Sequence, residues 1–203
     1  MNKIIILITC IISVYAFYRP PVSSKLLFNA YQIFHRREWY RMFTHGFIHA
    51  DWLHLIINMF VLFSFGEAVE YKFKELANQD IIRFPQLTFL LFYCGGIIVS
   101  STTTLWKQRD NAMYESVGAS GAVSAIVFAG IFFEPLRKIY VYGLIGFPGI
   151  LIGVLYLIYS YYMSRKGKDN INHDAHFIGA VYGFLFPLLV DHRLLKLFLN
   201  QLL

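Results

Sequence analysis

The sequence predicts an all-α membrane protein, and three observations support this fold class. Of its 203 residues, 57% are hydrophobic and only 15% are charged, whereas soluble domains carry about a quarter charged residues. The mean hydropathy is +0.52, which indicates apolar surface that faces lipid. The apolar residues also gather in six blocks separated by short charged clusters. Because a lipid-exposed backbone must satisfy its own hydrogen bonds, each block is expected to be a helix.

The six blocks predict six membrane-crossing helices in a single domain that spans residues 1–203. They cover Ile4–Tyr18, Trp52–Val69, Pro85–Leu105, Val117–Phe133, Ile139–Met163 and Ala175–Val190. The first block also resembles a signal peptide, but residues 13–16 form a poor cleavage site, so we expect a retained helix. The connector between the first two blocks, residues 19–51, contains Arg, Trp and Tyr, which suit the headgroup layer. We expect this connector to lie in the membrane interface.

The basic net charge favours the lipid bilayer, not a nucleic acid, as partner. The formal net charge is +6, and the basic residues are scattered at the ends of the apolar blocks. That distribution is typical of anchoring to anionic headgroups. The sequence shows no basic stripe and no nucleic-acid-binding motif, so we expect no nucleic-acid partner. The basic residues are nearly balanced between the two predicted sides, so the positive-inside rule does not assign an orientation.

The first candidate for chemistry is the motif Gly118-Ala119-Ser120-Gly121 at the start of the fourth block. Strongly polar groups inside membrane helices are costly and are functional candidates by default. A serine near a helix N-terminus is surrounded by unpaired backbone N–H groups, which can stabilise a developing oxyanion. A Gly-x-Ser-Gly sequence in a membrane helix is more often a packing face, so this motif is weak alone.

The second candidate is His176, near the start of the sixth block. Gly179 and Gly183 follow it as a GxxxG pair, which permits close contact between helices. His176 precedes Gly179 by three residues, so it shares their helix face. A histidine in such a place is usually a hydrogen-bonding group between helices, but its position opposite Ser120 also suits a general base.

The third candidate is the polar series His45, His49, His54 and Asn58. His54 and Asn58 are four residues apart, so they lie on one face of the second helix and can both donate hydrogen bonds to a carbonyl oxygen. His45 and His49 precede the helix, and we expect them to hold the loop and retain water.

The three sets together predict a serine nucleophile, a base that activates it and hydrogen-bond donors for the oxyanion. A serine hydroxyl needs a base at neutral pH, and a tetrahedral intermediate needs hydrogen-bond donors. Ser120, His176 and the pair His54 and Asn58 supply these parts from three helices. Asp174 stands two residues before His176 and would face away from it on a helix. We therefore predict a catalytic dyad without an acid.

The combined pattern resembles the rhomboid family of intramembrane serine proteases, from Glu38 to Val190. Three motifs carry the resemblance and are specific only together. They are Gly118-Ala119-Ser120-Gly121, Ala175-His176 followed by Gly179 and Gly183, and the run Arg41-Met42-Phe43-Thr44-His45 that leads through His49 and His54 to Asn58. The resemblance implies a six-transmembrane-helix bundle with cytoplasmic termini. It also implies a multi-pass protein, which we expect in the plasma (inner) membrane of a bacterium.

The resemblance further implies a role for each candidate residue. Ser120 would be the nucleophile, His176 the general base and acid, and His54, Asn58 and the Ser120 backbone N–H the oxyanion hole. The substrates would be transmembrane segments of other proteins, which enter sideways and are cut near the membrane face. Residues 165–173 would form a flexible cap over the site. No cofactor and no metal are expected.

Two departures from the family pattern are visible. Many members have Trp immediately before Arg in the connector, whereas here Tyr40 precedes Arg41 and Trp39 stands one residue earlier. Many members also have an aromatic residue four positions after the serine, on which the catalytic histidine rests. That position is Ser124 here, and we hypothesise that Ser124 hydrogen-bonds or hydrates His176 instead.

Two other functions fit parts of the pattern. The histidines at 45, 49, 54, 173 and 176 look like the histidine boxes of a metal-dependent membrane oxidase or protease, although an HExxH motif is absent. A non-enzymatic rhomboid-like pseudoprotease or a small transporter is the second alternative. Pseudoproteases usually lack the serine or the histidine, and a transporter would show paired broken helices, whereas only the fifth block contains a Gly/Pro cluster.

Overall fold

Helices dominate the structure, a computed structural model that describes residues 1–141, 144–167, 169 and 171–203. The described chain contains ten α-helices, one short 3-10 turn at His45–Phe47, and one antiparallel strand pair. In chain order these are α1 (Asn2–Phe17), α2 (Pro20–Leu26), α3 (Ala30–Arg36), α4 (Arg41–Thr44), α5 (Trp52–Asn78), α6 (Pro85–Gln108), α7 (Ser120–Phe133), β1 (Lys138–Val141), β2 (Ile145–Pro148), α8 (Gly149–Lys166), α9 (His173–Val190) and α10 (Leu194–Asn200).

Three described helices are long and apolar enough to cross a membrane: α5, α6 and α9, with 27, 24 and 18 residues. Helices α1 and α7 are apolar but have only 16 and 14 residues. At a rise of about 1.5 Å per residue, α7 is roughly 21 Å long, shorter than the hydrocarbon core of about 30 Å. The mostly helical membrane architecture is confirmed, whereas the count of six crossings stays a prediction.

The expectation of one helix over Ile139–Met163 is wrong for residues 139–141 and 145–148. These residues belong to β1 and β2, with Lys138 paired to Pro148 and Val141 paired to Ile145. Pro148 is the N-cap of α8, which begins at Gly149. Proline disfavours a helical conformation in the residue before it, and β-branched and aromatic residues favour strands. The Gly/Pro cluster therefore marks the start of a helix that follows a hairpin.

The connector between α1 and α5 is folded into the three short helices α2, α3 and α4, and Arg41 links α4 to the end of α2 and to Glu38. Its guanidinium donates to the backbone carbonyls of Ser24 and Leu27, each at 2.9 Å, and to the Glu38 carboxylate at 2.6 Å. The Tyr40 hydroxyl donates to the same carboxylate at 3.1 Å. With Tyr40 in the place of the expected Trp, Arg41 still anchors the connector. The position of the connector in the membrane interface stays a prediction.

Helix α7 forms the centre of the bundle and is buried on almost all sides, which is typical of a central helix. It meets α9 backbone to backbone. A Cβ atom added to Gly183 would lie 2.5 Å from the Ala125 carbonyl carbon, and one added to Gly179 would lie 2.8 Å from that of Gly121. Because Gly121 and Ala125 are one turn apart, as are Gly179 and Gly183, the two helices stay in contact over two consecutive turns.

This contact predicts the effect of a single methyl group. Gly183→Ala should lower stability by about 2 kcal/mol, because its Cβ meets rigid backbone, as in other overpacked sites. Thermal unfolding in detergent should shift down by roughly 5 °C for a chain of this size. Gly130→Ala in α7 is the matched control, since its Cβ would lie 3.4 Å from the nearest Phe65 atom. Equal unfolding temperatures for the two variants would contradict the close contact.

Candidate active site

Ser120 is the first residue of α7, directly before the contact with α9. Its neighbour Gly121 packs against α6 and α9: a Cβ there would overlap Ser100 and would lie 3.4 Å from the Ala175 carbonyl oxygen. Ala175 directly precedes His176 in the first turns of α9. The two helices therefore bring Gly121 and Ala175 into van der Waals contact, and these are the chain neighbours of Ser120 and His176.

The start of α9 is fixed to α6 by polar contacts. The Asn172 side-chain oxygen caps the helix by accepting from the Ala175 N–H at 3.1 Å, and it also accepts from the Thr104 hydroxyl at 3.0 Å. Asp174 pairs with Lys107 at 2.8 Å. These contacts fix the position of the first turn of α9, which carries His176, along the axis of α6.

His176 has no carboxylate partner among the described residues. Asp174 is held by Lys107, and Asp169 accepts from the ring of His173 at 3.1 Å. The His173 ring in turn meets the His176 ring edge-on, with centroids 5.9 Å apart. Within the described chain no direct hydrogen bond joins Ser120 to His176, and catalytic hydrogen bonds are often longer before substrate binds.

His54 lies directly over the loop that precedes Ser120. A Cβ atom on Gly118 would come within 2.6 Å of the His54 ring, and Gly118 also has a φ of +116°, which L side chains rarely adopt. Only glycine therefore leaves room for His54 here. Asn58 is buried one turn further along α5, and its amide nitrogen donates to the His54 carbonyl at 2.8 Å. That bond uses one of the two N–H groups of Asn58.

His45 and His49 are buried and hold the same loop in place. The His45 carbonyl accepts from the Gly118 N–H at 3.0 Å, and the His45 ring bonds the Ser101 hydroxyl at 3.1 Å. His49 Nε2 faces the Ala119 N–H at 3.5 Å, and the His49 ring packs edge-on against the His54 ring at 4.9 Å.

The hydrogen bonds of His49 determine its protonation state. The Ser13 hydroxyl lies 2.8 Å from the Phe47 carbonyl and 2.9 Å from His49 Nδ1. Because a hydroxyl has one proton, which goes to the carbonyl, Ser13 accepts from Nδ1–H, and Nε2 is left to accept from Ala119. This arrangement requires a neutral imidazole. Burial supports it, since it lowers the pKa of His49 to about 3 and that of His45 to about 4.

The expected contact between Ser124 and His176 is not the one observed. The Ser124 hydroxyl hydrogen-bonds the Tyr156 hydroxyl of α8 at 2.8 Å. The Tyr156 ring is stacked with the His176 ring, at a centroid distance of 6.4 Å and an interplanar angle of 20°. An aromatic ring thus accompanies the histidine, but it comes from α8 instead of α7.

Sequence reasoning missed Tyr156 and the pairing of Asp169 with His173. Tyr156 belongs to a segment with several tyrosines, and nothing in its spacing separates it from the exposed Tyr159, Tyr161 and Tyr162. The predicted cap, residues 165–173, includes Lys168 and Asn170, which lie outside the described residues. Helix α8 ends at Lys166, inside this range, and Gly167 follows it in the left-handed conformation.

No metal-binding geometry in the described part of the chain supports the histidine-box interpretation. No three His, Cys, Asp or Glu side chains there come together as a set of ligands. His45, His49 and His173 are instead engaged by Ser101, Ser13 and Asp169.

Comparisons with known proteins agree with the motifs. Residues 36–193 match the Rhomboid domain family. RHOMBOID-like protein 12, mitochondrial, of Arabidopsis thaliana is 26% identical, over 78% of this chain and 49% of its own length. YdcA of Bacillus subtilis (strain 168) is 31% identical, over 75% and 67%. Rhomboid protease AarA of Providencia stuartii is 27% identical, over 85% and 65%. The chain thus spans about half to two thirds of the length of these relatives.

The neutral state of His49 predicts sensitivity to acid. In the unfolded chain His49 binds a proton near its ordinary value of 6.5, whereas in the folded chain it does so only near pH 3. Between these values the unfolded state binds more protons, so stability is complete above about 6.5 and falls as the pH falls. The unfolding temperature should decrease between pH 7 and pH 5, and His49→Leu should flatten that decrease.

The control for this experiment is His192→Gln, since the His192 side chain is 93% exposed. This variant should keep the wild-type pH profile. An unchanged pH profile in His49→Leu would show that a buried neutral His49 does not contribute to acid sensitivity.

Proposed function

Because the chain belongs to the rhomboid family, we propose that it is an intramembrane serine endopeptidase that cleaves transmembrane segments of other membrane proteins. The apolar helices make it an integral membrane protein. The contact between Gly121 and Ala175 carries the proposal, since each of these residues is the chain neighbour of a member of the proposed dyad, Ser120 or His176. The relative named rhomboid protease AarA supports the same activity.

In the proposed reaction, Ser120 attacks the scissile carbonyl and His176 takes its proton. The oxyanion that forms accepts hydrogen bonds from the Ser120 backbone N–H, from His54 and from the second N–H of Asn58. His176 then returns the proton to the leaving amine, and a water molecule activated by His176 hydrolyses the acyl-enzyme. Each oxyanion donor supplies on the order of 3 kcal/mol of transition-state stabilisation.

Two features of the chain support a substrate in the membrane. The nucleophile stands at the end of α7, which is too short to cross the hydrocarbon core, so Ser120 lies below one membrane face if α7 ends near the other. Polar residues such as Ser100, Ser101 and Thr104 of α6 are buried near that end. Buried hydroxyls of this kind suit a hydrated site within an apolar bundle.

The proposal includes the architecture that the sequence predicts. Residues 1–203 would form one protease domain that crosses the membrane six times, at α1, α5, α6, α7, α8 and α9, and the loop before Ser120 would complete the crossing at the short helix α7. The short helices of residues 19–51 would lie in the interface. The location in a bacterial plasma membrane stays a prediction, since the relatives include bacterial and organellar proteins.

The proposed dyad predicts a loss of proteolysis without a loss of fold. Ser120→Ala and His176→Ala should each reduce cleavage of a model transmembrane substrate in lipid vesicles by a factor of at least about 10⁴, as in other serine proteases. Ser64→Ala in α5 and His192→Gln are the matched controls, because both side chains are exposed. Cleavage that persists in Ser120→Ala would refute the serine mechanism.

A further inference from the structure

The catalytic histidine of the proposed dyad needs an orienting group that no carboxylate supplies. In serine proteases a third group usually fixes the imidazole of the base. Among the described residues, the nearby carboxylates of Asp169 and Asp174 are engaged by His173 and Lys107. The terminal torsion of a histidine side chain has a broad energy profile, so an unsupported imidazole would sample many ring orientations.

Tyr156 is the residue whose geometry suits this task. Its ring plane lies within 20° of the His176 ring plane at a centroid distance of 6.4 Å, inside the range of offset-stacked pairs. The same ring packs against Phe128 of α7, with centroids 5.7 Å apart. A stacked neighbour limits rotation of the imidazole out of the shared plane.

Ser124 fixes the far end of Tyr156. The two hydroxyls hydrogen-bond at 2.8 Å, and Ser124 is 7% exposed, so the bond is shielded from water. Ser124 is four residues after Ser120, on the same face of α7. A hydrogen bond from α7 therefore fixes the position of Tyr156 in α8, and the Tyr156 ring stacks on His176 in α9.

We propose that Tyr156 is a positioning residue for His176, held in register by Ser124, so that the aromatic support of the base comes from α8. This inference rests on the proposed function, because it assigns a support to the proposed base. The nucleophile, the base and the supporting tyrosine lie on three helices, and the hydrogen bond between the Ser124 and Tyr156 hydroxyls links α7 to α8. Helix α8 is thereby a part of the catalytic geometry as well as of the bundle.

The first test separates the ring of Tyr156 from its hydroxyl. Tyr156→Leu should lower kcat on a model transmembrane substrate about ten-fold with KM nearly unchanged, because a misoriented base slows the chemical step without weakening binding. Tyr156→Phe keeps the ring and should lose only about three-fold, as expected for one hydrogen bond. Tyr162→Leu, at an exposed tyrosine of α8, is the matched control and should keep the wild-type kcat.

The second test is a double-mutant cycle that removes only the hydroxyl groups of Ser124 and Tyr156. Ser124→Ala should also lose about three-fold, and the Ser124→Ala, Tyr156→Phe double variant should lose no more than either single variant, because both remove the same bond. Losses that multiply in the double variant would overturn the role of Ser124. This cycle also decides the matter if Tyr156→Leu does not fold.

The outcome for Ser120→Ala in the same assay keeps the two proposals apart. If Ser120→Ala is inactive while Tyr156→Leu has the wild-type kcat, the positioning role is refuted and the serine mechanism stands. If Ser120→Ala cleaves the substrate, the serine mechanism itself fails. If Ser120→Ala is inactive and Tyr156→Leu loses kcat with an unchanged KM, both proposals are supported.

Discussion

The candidate site depends on one interaction, the backbone contact between α7 and α9. Any side chain larger than the hydrogen atom of glycine at Gly179 or Gly183 would overlap the carbonyl group of Gly121 or Ala125. Because these are main-chain atoms, small shifts of flexible groups cannot relieve the overlap. The contact fixes both the distance and the register of the two helices, and Ser120 and His176 lie within one turn of it along α7 and α9. In a bilayer, where apolar side chains gain little by leaving lipid, such close packing is a main source of helix association.

Neutral hydrogen-bond networks fix the residues directly before Ser120. The chain of bonds from Ala119 through His49 and Ser13 to the Phe47 carbonyl is satisfied only with an uncharged imidazole. A satisfied network in a low-dielectric interior is rigid, whereas an unpaired charge there is costly. The connector therefore contributes to the site through His45 and His49, although it lies outside the long helices.

Much of the fold could be predicted from the sequence, because apolar blocks in lipid leave few alternatives to helices. The blocks that became α5, α6 and α9 were located to within a few residues, apart from the extension of α5 to Asn78. The β1–β2 hairpin was missed because its apolar composition is the same as that of a membrane helix, and only Pro148 and its neighbouring glycines distinguish it. Both Gly118 and the GxxxG pair were recognised, but their partners depend on tertiary packing.

The same limit applies to the candidate site. Ser120, His176, His54 and Asn58 could be singled out because polar groups are rare in apolar helices. The missing aromatic residue at Ser124 was also visible in the sequence. Its replacement by Tyr156 was not, because the two residues are 32 positions apart and no local pattern connects them. Only the packed structure reveals that a residue so distant in sequence occupies this place beside the histidine.

The most direct test of the central claim is covalent labelling of the folded protein with a serine-reactive fluorophosphonate, followed by peptide mass spectrometry. If the contact between α7 and α9 presents Ser120 to His176, the adduct should form on Ser120 and should be lost in His176→Ala. An adduct on a different serine, or labelling of Ser120 at the wild-type rate in His176→Ala, would contradict the account.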